Sequence, residues 1–230
     1  MRNCFREMVL SNIFQRYVIK NKDFAEATPI SVQRAIFGDP GITYKYFDIR
    51  LFAFPWGMDI KTNIHATQCH QDVAKTMYLL NERLKKTLKS LIDNQLAEEC
   101  AIDFNMSLLN HFDPVSISKS TWQPDEYYAM GLMAIKWHKD PFIQKNSTVA
   151  VYQCEEEDNE NNQFSYDWST GFRKNWSADV PAIKVHFENG DCYFMTGNFN
   201  DNYQHCVIAG TRGRFSSTHR KIEVKIFDNF

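Results

Sequence analysis

The chain has 230 residues with 26 basic and 28 acidic side chains, a formal charge of −2, and is 43% hydrophobic and 14% aromatic. That balance describes a globular chain long enough to bury a core, and it excludes a protein that holds nucleic acid mainly through bulk positive charge. No run reaches the ~18 consecutive apolar residues of a membrane helix, and no apolar stretch follows Met1 to Met8, so neither a membrane span nor a cleaved secretory signal is expected.

In chain order, Phe5, Met8, Val9 and Ile13 fall at helical spacing and predict a helix over 5–20, stopped by Asn21-Lys22-Asp23. Gly38-Asp39-Pro40-Gly41 is a turn signal, and Ile42 to Phe54 reads as extended up to Pro55-Trp56-Gly57. Val73, Met77, Leu80, Leu84, Leu88 and Leu91 form one stripe, which predicts an amphipathic helix over 71–99 that buttresses a sheet. From Ile102 onward short strands are expected over 104–108, 127–137, 149–153, 172–176, 182–187, 192–195, 206–208 and 214–220. The stretch 155–163 reads as an acidic, solvated loop. Helices followed by many short strands predict an α+β fold whose body is an antiparallel double sheet or barrel.

The six cysteines form no C-x-x-C pair, so neither a zinc knuckle nor a thioredoxin motif is supported. Reduced thiols in a nuclear or cytoplasmic setting are expected. No G-x-G-x-x-G, Walker A, G-x-S-x-G or H-E-x-x-H motif is present. The chemistry gathers instead at His138-Lys139-Asp140 and at His205. On an extended chain, side chains two apart point the same way, so His138 and Asp140 are delivered to one point. Two histidines and a carboxylate on one face match the facial triad of non-haem Fe(II) oxygenases. Taken alone, an H-x-D is short and common, and both histidines can equally be structural. Arg214 to Arg220 (RFSSTHR) reads as a strand with a wholly polar face of Arg214, Ser216, Thr218 and Arg220. On an inner face such residues need an anionic partner, and Arg214 can grip a carboxylate bidentately beside the Ser216 hydroxyl. The alternative is an exposed edge strand. Asn110 and Tyr193 are further polar candidates for the same ligand.

These residues sit within longer strings: 38–46 (GDPGITYKY), 50–52 (RLF), 108–110 (LLN), 137–140 (WHKD), 190–195 (GDCYFM), 204–210 (QHCVIAG) and 214–220. Together they make the chain resemble the AlkB-type, 2-oxoglutarate-dependent Fe(II) dioxygenases, and within them the FTO-type catalytic domains, from about Val32 to Arg220. The resemblance implies a double-stranded β-helix, or jelly roll, with supporting helices, as one catalytic domain over 1–230. Residues 1–100 would be its helical and substrate-recognition part and 101–230 its core, without the C-terminal helical domain of that family. It implies Fe(II) on His138, Asp140 and His205, and 2-oxoglutarate on Asn110, Tyr193, Arg214, Ser216, Thr218 and Arg220, with O2 as co-reactant. It places Arg34, Tyr44, Tyr46, Phe47, Ile135, Lys136 and Trp137 around a methylated base. The implied reaction is oxidative demethylation of N-methylated bases, N6-methyladenosine foremost, in single-stranded RNA or DNA. Lys119 to Gly131, with Trp122, Tyr127 and Tyr128, would be a loop that disfavours duplexes. Three positions depart from the family. Pro141 replaces a glutamate, Lys136 a small hydroxyl residue and Phe47 a leucine. Proline offers neither a carboxylate nor an N–H. A catalytically silent binder of methylated or single-stranded RNA and a related dioxygenase with another N-methyl substrate stay open as alternatives.

Overall fold

The computed structural model describes residues 1–11, 13–19, 28–46, 49–57, 68–92, 100–114, 123–124, 130–156, 168–174 and 182–223. The chain runs α1 (Arg2–Leu10), β1 (Gln15–Ile19), β2 (Thr28–Gly38), β3 (Thr43–Tyr46), β4 (Ile49–Phe52), β5 (Phe54–Pro55), α2 (Gln68–Leu91), β6 (Met106–Phe112) and β7 (Gln123–Pro124). It continues as β8 (Leu132–His138), β9 (Val149–Glu155), β10 (Ser169–Lys174), β11 (Ile183–His186), β12 (Cys192–Met195), α3 (Phe199–Asn202), β13 (Tyr203–Ile208) and β14 (Arg214–Arg220).

One sheet has the order β1-β2-β6-β14-β9-β12, with β5 added in parallel beside β2; the other has the order β11-β10-β13-β8-β7. From β6 onward the chain passes repeatedly from one sheet to the other, and within each sheet these strands pair antiparallel. This winding is that of a double-stranded β-helix. The inner faces meet through aromatic pairs: Phe112 with Trp168 at 5.1 Å, and Phe172 edge-on to Tyr193 at 6.0 Å. Among the described residues no helix is long and apolar enough to cross a membrane.

The outer face of the larger sheet is covered by both long helices. Val73, Met77, Leu80, Leu84 and Leu88 of α2 join Phe5 and Met8 of α1 against Phe37, Leu109 and Phe215. The predicted stripe therefore buries as a unit, except Leu91, which ends the helix and is 68% exposed. Residues 93–99 lie outside the described residues.

The helix expected over 5–20 is corrected. It ends at Leu10, and Gln15–Ile19 forms an edge strand paired to β2. The β-branched and aromatic run Tyr17-Val18-Ile19 finds a strand partner, and pairing overrides the weak helical spacing. The extended stretch 42–54 is a hairpin, β3 with β4, followed by β5. β2 shows no alternation because both its faces are covered: Ala35 and Phe37 meet the helices, while Arg34 and Ile36 are buried on the other side.

β14 is central, between β6 and β9, and all seven of its residues are buried. Its odd positions, Phe215, Ser217 and His219, face the helices. His219 Nδ1–H donates to Asn81 Oδ1 at 2.9 Å, which leaves Nε2 to accept from the Ser217 hydroxyl at 3.1 Å. Burial, aided by the Arg220 and Lys85 charges, pushes the His219 imidazole down to about 3. Its unfolded value is ~6.5. Between those values the unfolded chain takes a proton that the folded chain refuses, so stability falls as pH drops from ~6.5 toward 3. His219→Gln is expected to flatten the pH dependence of unfolding in that window by up to ~1.4 kcal/mol per pH unit. Denaturant melts at several pH values measure it, and parallel curves for the two proteins would contradict it.

Candidate active site

His138 is the last residue of β8, and its Cα partner across the ladder is His205 on β13. Asp140 follows two residues later. Metal-ligating atoms of the three side chains lie within 4.8 Å of one another. The imidazole centroids are 4.2 Å apart, and His205 Nε2 is 3.8 Å from Asp140 Oδ2. His138 Nδ1–H donates to the Lys136 carbonyl at 2.7 Å, so its Nε2 carries the free lone pair. Asp140 Oδ1 accepts from Arg220 Nη1 at 2.6 Å, while Asp140 Oδ2 and His205 Nδ1 are buried without a hydrogen-bond partner.

The electrostatics suit a cation. Burial pushes the Asp140 carboxyl up, but the Arg220 guanidinium and the two histidines override it and hold the group below its ordinary value. Burial lowers His138, and burial together with the neighbouring His138 lowers His205 to about 3. At neutral pH the trio is one carboxylate and two neutral imidazoles, the protonation state a divalent metal requires of its ligands. The bare, buried Asp140 Oδ2 is the atom that such an ion would satisfy, so the donor set fits Fe(II).

The inner face of the larger sheet lays a polar row toward this trio. Ser216 pairs with Asn110, which in turn pairs with Arg34; Arg34 Nε donates to Asn110 Oδ1 at 2.9 Å. One rung along, Thr218 pairs with Val151, and Val151 with Tyr193 of β12. Burial raises the Tyr193 phenol, which keeps it a neutral donor. Arg214 begins β14, only 3% exposed, with its guanidinium 5.4 Å from the centroids of both Phe112 and Trp168. Its Nε and Nη1 have no hydrogen-bond partner, and burial pushes it down to about 10. A cation in an aromatic slot with open donors is built for an anion, and its planar fork suits a carboxylate. Arg214 and Arg220 thus bracket one strand, the first with open donors and the second already joined to Asp140.

The base-contact candidates separate. Arg34 is buried on the same inner face as Asn110. Tyr44 packs into the core with Ile36, Met106 and Leu108, and its hydroxyl end reaches Arg220 Nη1 at 3.5 Å. Ile135 lies with Val207 and Ala209 on the inner cluster, and Lys136 is exposed. Trp137 is a correction: it faces away from the trio, packed with Met130 and Cys206 under the Arg173 guanidinium at 4.4 Å. Neighbouring side chains on a strand face opposite ways, so the inward His138 turns Trp137 outward. The register slip between His205 and Val207 is what lets Ile135, three residues before His138, face inward as well. The side chain of Tyr46, all of Phe47, and the aromatic loop residues Trp122, Tyr127 and Tyr128 lie outside the described residues. An apolar cleft of about 400 Å³ opens by β10–β12 and is lined by Phe172, Phe187, Tyr193 and Phe199 among others. None of its lining residues is a His, Cys, Asp or Glu, so it is not the metal site.

Two side chains at the site carry no motif. Gln153 on β9 is the Cα partner of Ser216 and is 3% exposed, with its Oε1 unpartnered. Asn200 on α3 touches the Asp140 backbone. Only their polarity within apolar surroundings could have marked them.

A family model described as the FTO catalytic domain matches residues 1–223. The alpha-ketoglutarate-dependent dioxygenase FTO of Xenopus laevis is 33% identical over 261 residues, which cover 97% of this chain and 51% of that protein. The chain thus spans about half the length of this curated relative. The crystal structure of JOX2 in complex with 2OG, Fe, and JA is similar at a TM-score of 0.45 and 10% identity, covering 98% of this chain and 63% of that one. That likeness is too slight to bear on fold or chemistry. Matched over almost its whole length, and with the triad that its sequence called for, the chain belongs to the FTO catalytic domain family.

Proposed function

We propose that the chain is an Fe(II)- and 2-oxoglutarate-dependent dioxygenase that removes methyl groups oxidatively from N-methylated bases in single-stranded RNA or DNA, N6-methyladenosine foremost. The observation that carries this reading is the buried, unpartnered Arg214 fork on the strand whose far end, through Arg220, holds the carboxylate of the His138, Asp140 and His205 cluster. His138 Nε2, Asp140 Oδ2 and His205 would hold the metal. Arg214 and Ser216 would take the far carboxylate of 2-oxoglutarate, with Asn110, Tyr193 and Thr218 as the polar wall. Arg34 and Ile135 would border the base. When bound, metal and cosubstrate supply the oxidation of the N-methyl group by O2, with 2-oxoglutarate becoming succinate and CO2 and the methyl leaving as formaldehyde.

The charges are complementary along this line: a divalent ion at one end and Arg214 at the other offer positive charge to both ends of a dianion. Arg220 offsets Asp140 and keeps it ionised without occupying its second oxygen. The protein's part is to orient these groups and to exclude water.

Recombinant protein incubated with Fe(II), 2-oxoglutarate and ascorbate tests this on a panel of methylated oligonucleotides read by mass spectrometry. Loss of the methyl from single-stranded N6-methyladenosine is expected, and binding without loss of any methyl would overturn the reading. Pro141 and the exposed Lys136 favour a second reading, a different N-methyl base, because they exchange a carboxylate for none and add a cation beside the site. Turnover of another methylated base, with N6-methyladenosine left intact, would select it.

A further inference from the structure

We infer that Asn200 is a positioning residue for Asp140, fixing the carboxylate for metal binding by clamping its backbone; the inference rests on Asp140 being a metal ligand. The ladder of β8 ends at His138, and Asp140, 8% exposed, pairs with no strand among the described residues. Its N–H and C=O would be buried unsatisfied without a partner. Pro141 adds no N–H of its own and confines the residue before it to extended conformations. Asn200 satisfies both groups: its Oδ1 accepts from Asp140 N–H at 2.9 Å, and its Nδ2 donates to Asp140 C=O at 3.0 Å. A primary amide is a planar copy of the peptide group, so two bonds to one residue fix that residue's rotation. With Arg220 holding Oδ1, Asp140 is held at three points, and only Oδ2 is left bare.

The clamp also joins the metal ligands to each other. Asn200 is 6% exposed and sits on α3, the turn that leads directly into β13 and His205. The Lys139 ammonium donates to the Asp201 carbonyl at the same junction. Phe199 stacks on Tyr203 at 4.5 Å and meets Phe172 edge-on at 5.5 Å; Phe172 is the cross-strand partner of His205. The spacing between Asp140 and His205 is therefore set by a short, packed segment. Residues that orient metal ligands in this way typically change metal affinity by roughly 10–100-fold when removed.

Anaerobic titration with Co(II), followed by its visible spectrum, separates this role from a merely structural one. Asn200→Ala is expected to bind Co(II) roughly 10–100-fold more weakly, with an altered spectrum. Asn81→Ala also loses two buried side-chain hydrogen bonds, but on the outer face of the sheet. It is expected to lower the melting temperature comparably while leaving Co(II) binding unchanged. Asn200→Asp keeps the acceptor for Asp140 N–H and loses the donor to its carbonyl, so it serves if the alanine variant does not fold; its Co(II) spectrum is expected to shift. Wild-type affinity and spectrum in the Asn200 variants, with binding lost in Asp140→Ala, would overturn the inference alone. Wild-type binding in Asp140→Ala would instead overturn the ligand assignment beneath it.

Discussion

Asp140→Ala is expected to reduce Fe(II)-dependent turnover of 2-oxoglutarate to background and, separately, to destabilise the metal-free protein. The first effect follows from removing the one anionic ligand of the trio. The second follows from Arg220, which is 1% exposed and pairs with Asp140 at 2.6 Å. Breaking a buried pair by removing one partner leaves a lone buried charge, a loss of roughly 3–5 kcal/mol. Arg220→Met in the Asp140→Ala background should recover much of that stability, because no charge is then left stranded. It should recover none of the turnover. Denaturant melts and a succinate assay on the two variants resolve the effects, and normal turnover in Asp140→Ala would sink the triad assignment.

Arg214→Leu should act in the opposite sense on stability. Here the native protein already buries an unpartnered cation between two rings, and burial alone has pushed it down to about 10. Replacing it with an apolar side chain is expected to stabilise the metal-free, ligand-free protein, by roughly 1–4 kcal/mol if buried-pair replacements are a guide. Binding of 2-oxoglutarate should weaken by roughly 2–5 kcal/mol, the usual range for truncating one side of a buried, hydrogen-bonded charge pair. The two changes cross in a melting experiment. Added 2-oxoglutarate raises the melting temperature of the wild type and not that of the variant. Arg214→Lys should restore charge but not the fork, and recover only part of the affinity. A variant that still responds to 2-oxoglutarate like the wild type would remove Arg214 from the cosubstrate site.

What was legible in the sequence was local. H-x-D and the even positions of 214–220 depend only on the period of an extended chain, and the structure keeps both alternations. The stripe of α2 is legible for the same reason, with a period that one segment carries by itself. Trp137 is turned away by the same strand alternation, since it is the immediate neighbour of the inward His138, whereas the inward placing of Ile135 depends on the slip between β8 and β13, which no local pattern shows. Gln15–Ile19 fails because its partner, β2, lies beyond it in the chain and, over the described side chains of 32–38, is too evenly buried to show a pattern. Gln153 and Asn200 have no motif to display, since their roles depend on what the fold brings beside them. Arg220, expected beside cosubstrate and base, is paired in the structure with Asp140, a partner that the alternation of its own strand does not reveal.

The most direct test of the whole account is anaerobic equilibrium binding of Fe(II) to the wild-type chain, with and without 2-oxoglutarate. The account predicts one Fe(II) per chain, and tighter Fe(II) binding when 2-oxoglutarate is present because the two share one site. Failure to bind Fe(II), or binding that 2-oxoglutarate does not change, would contradict it.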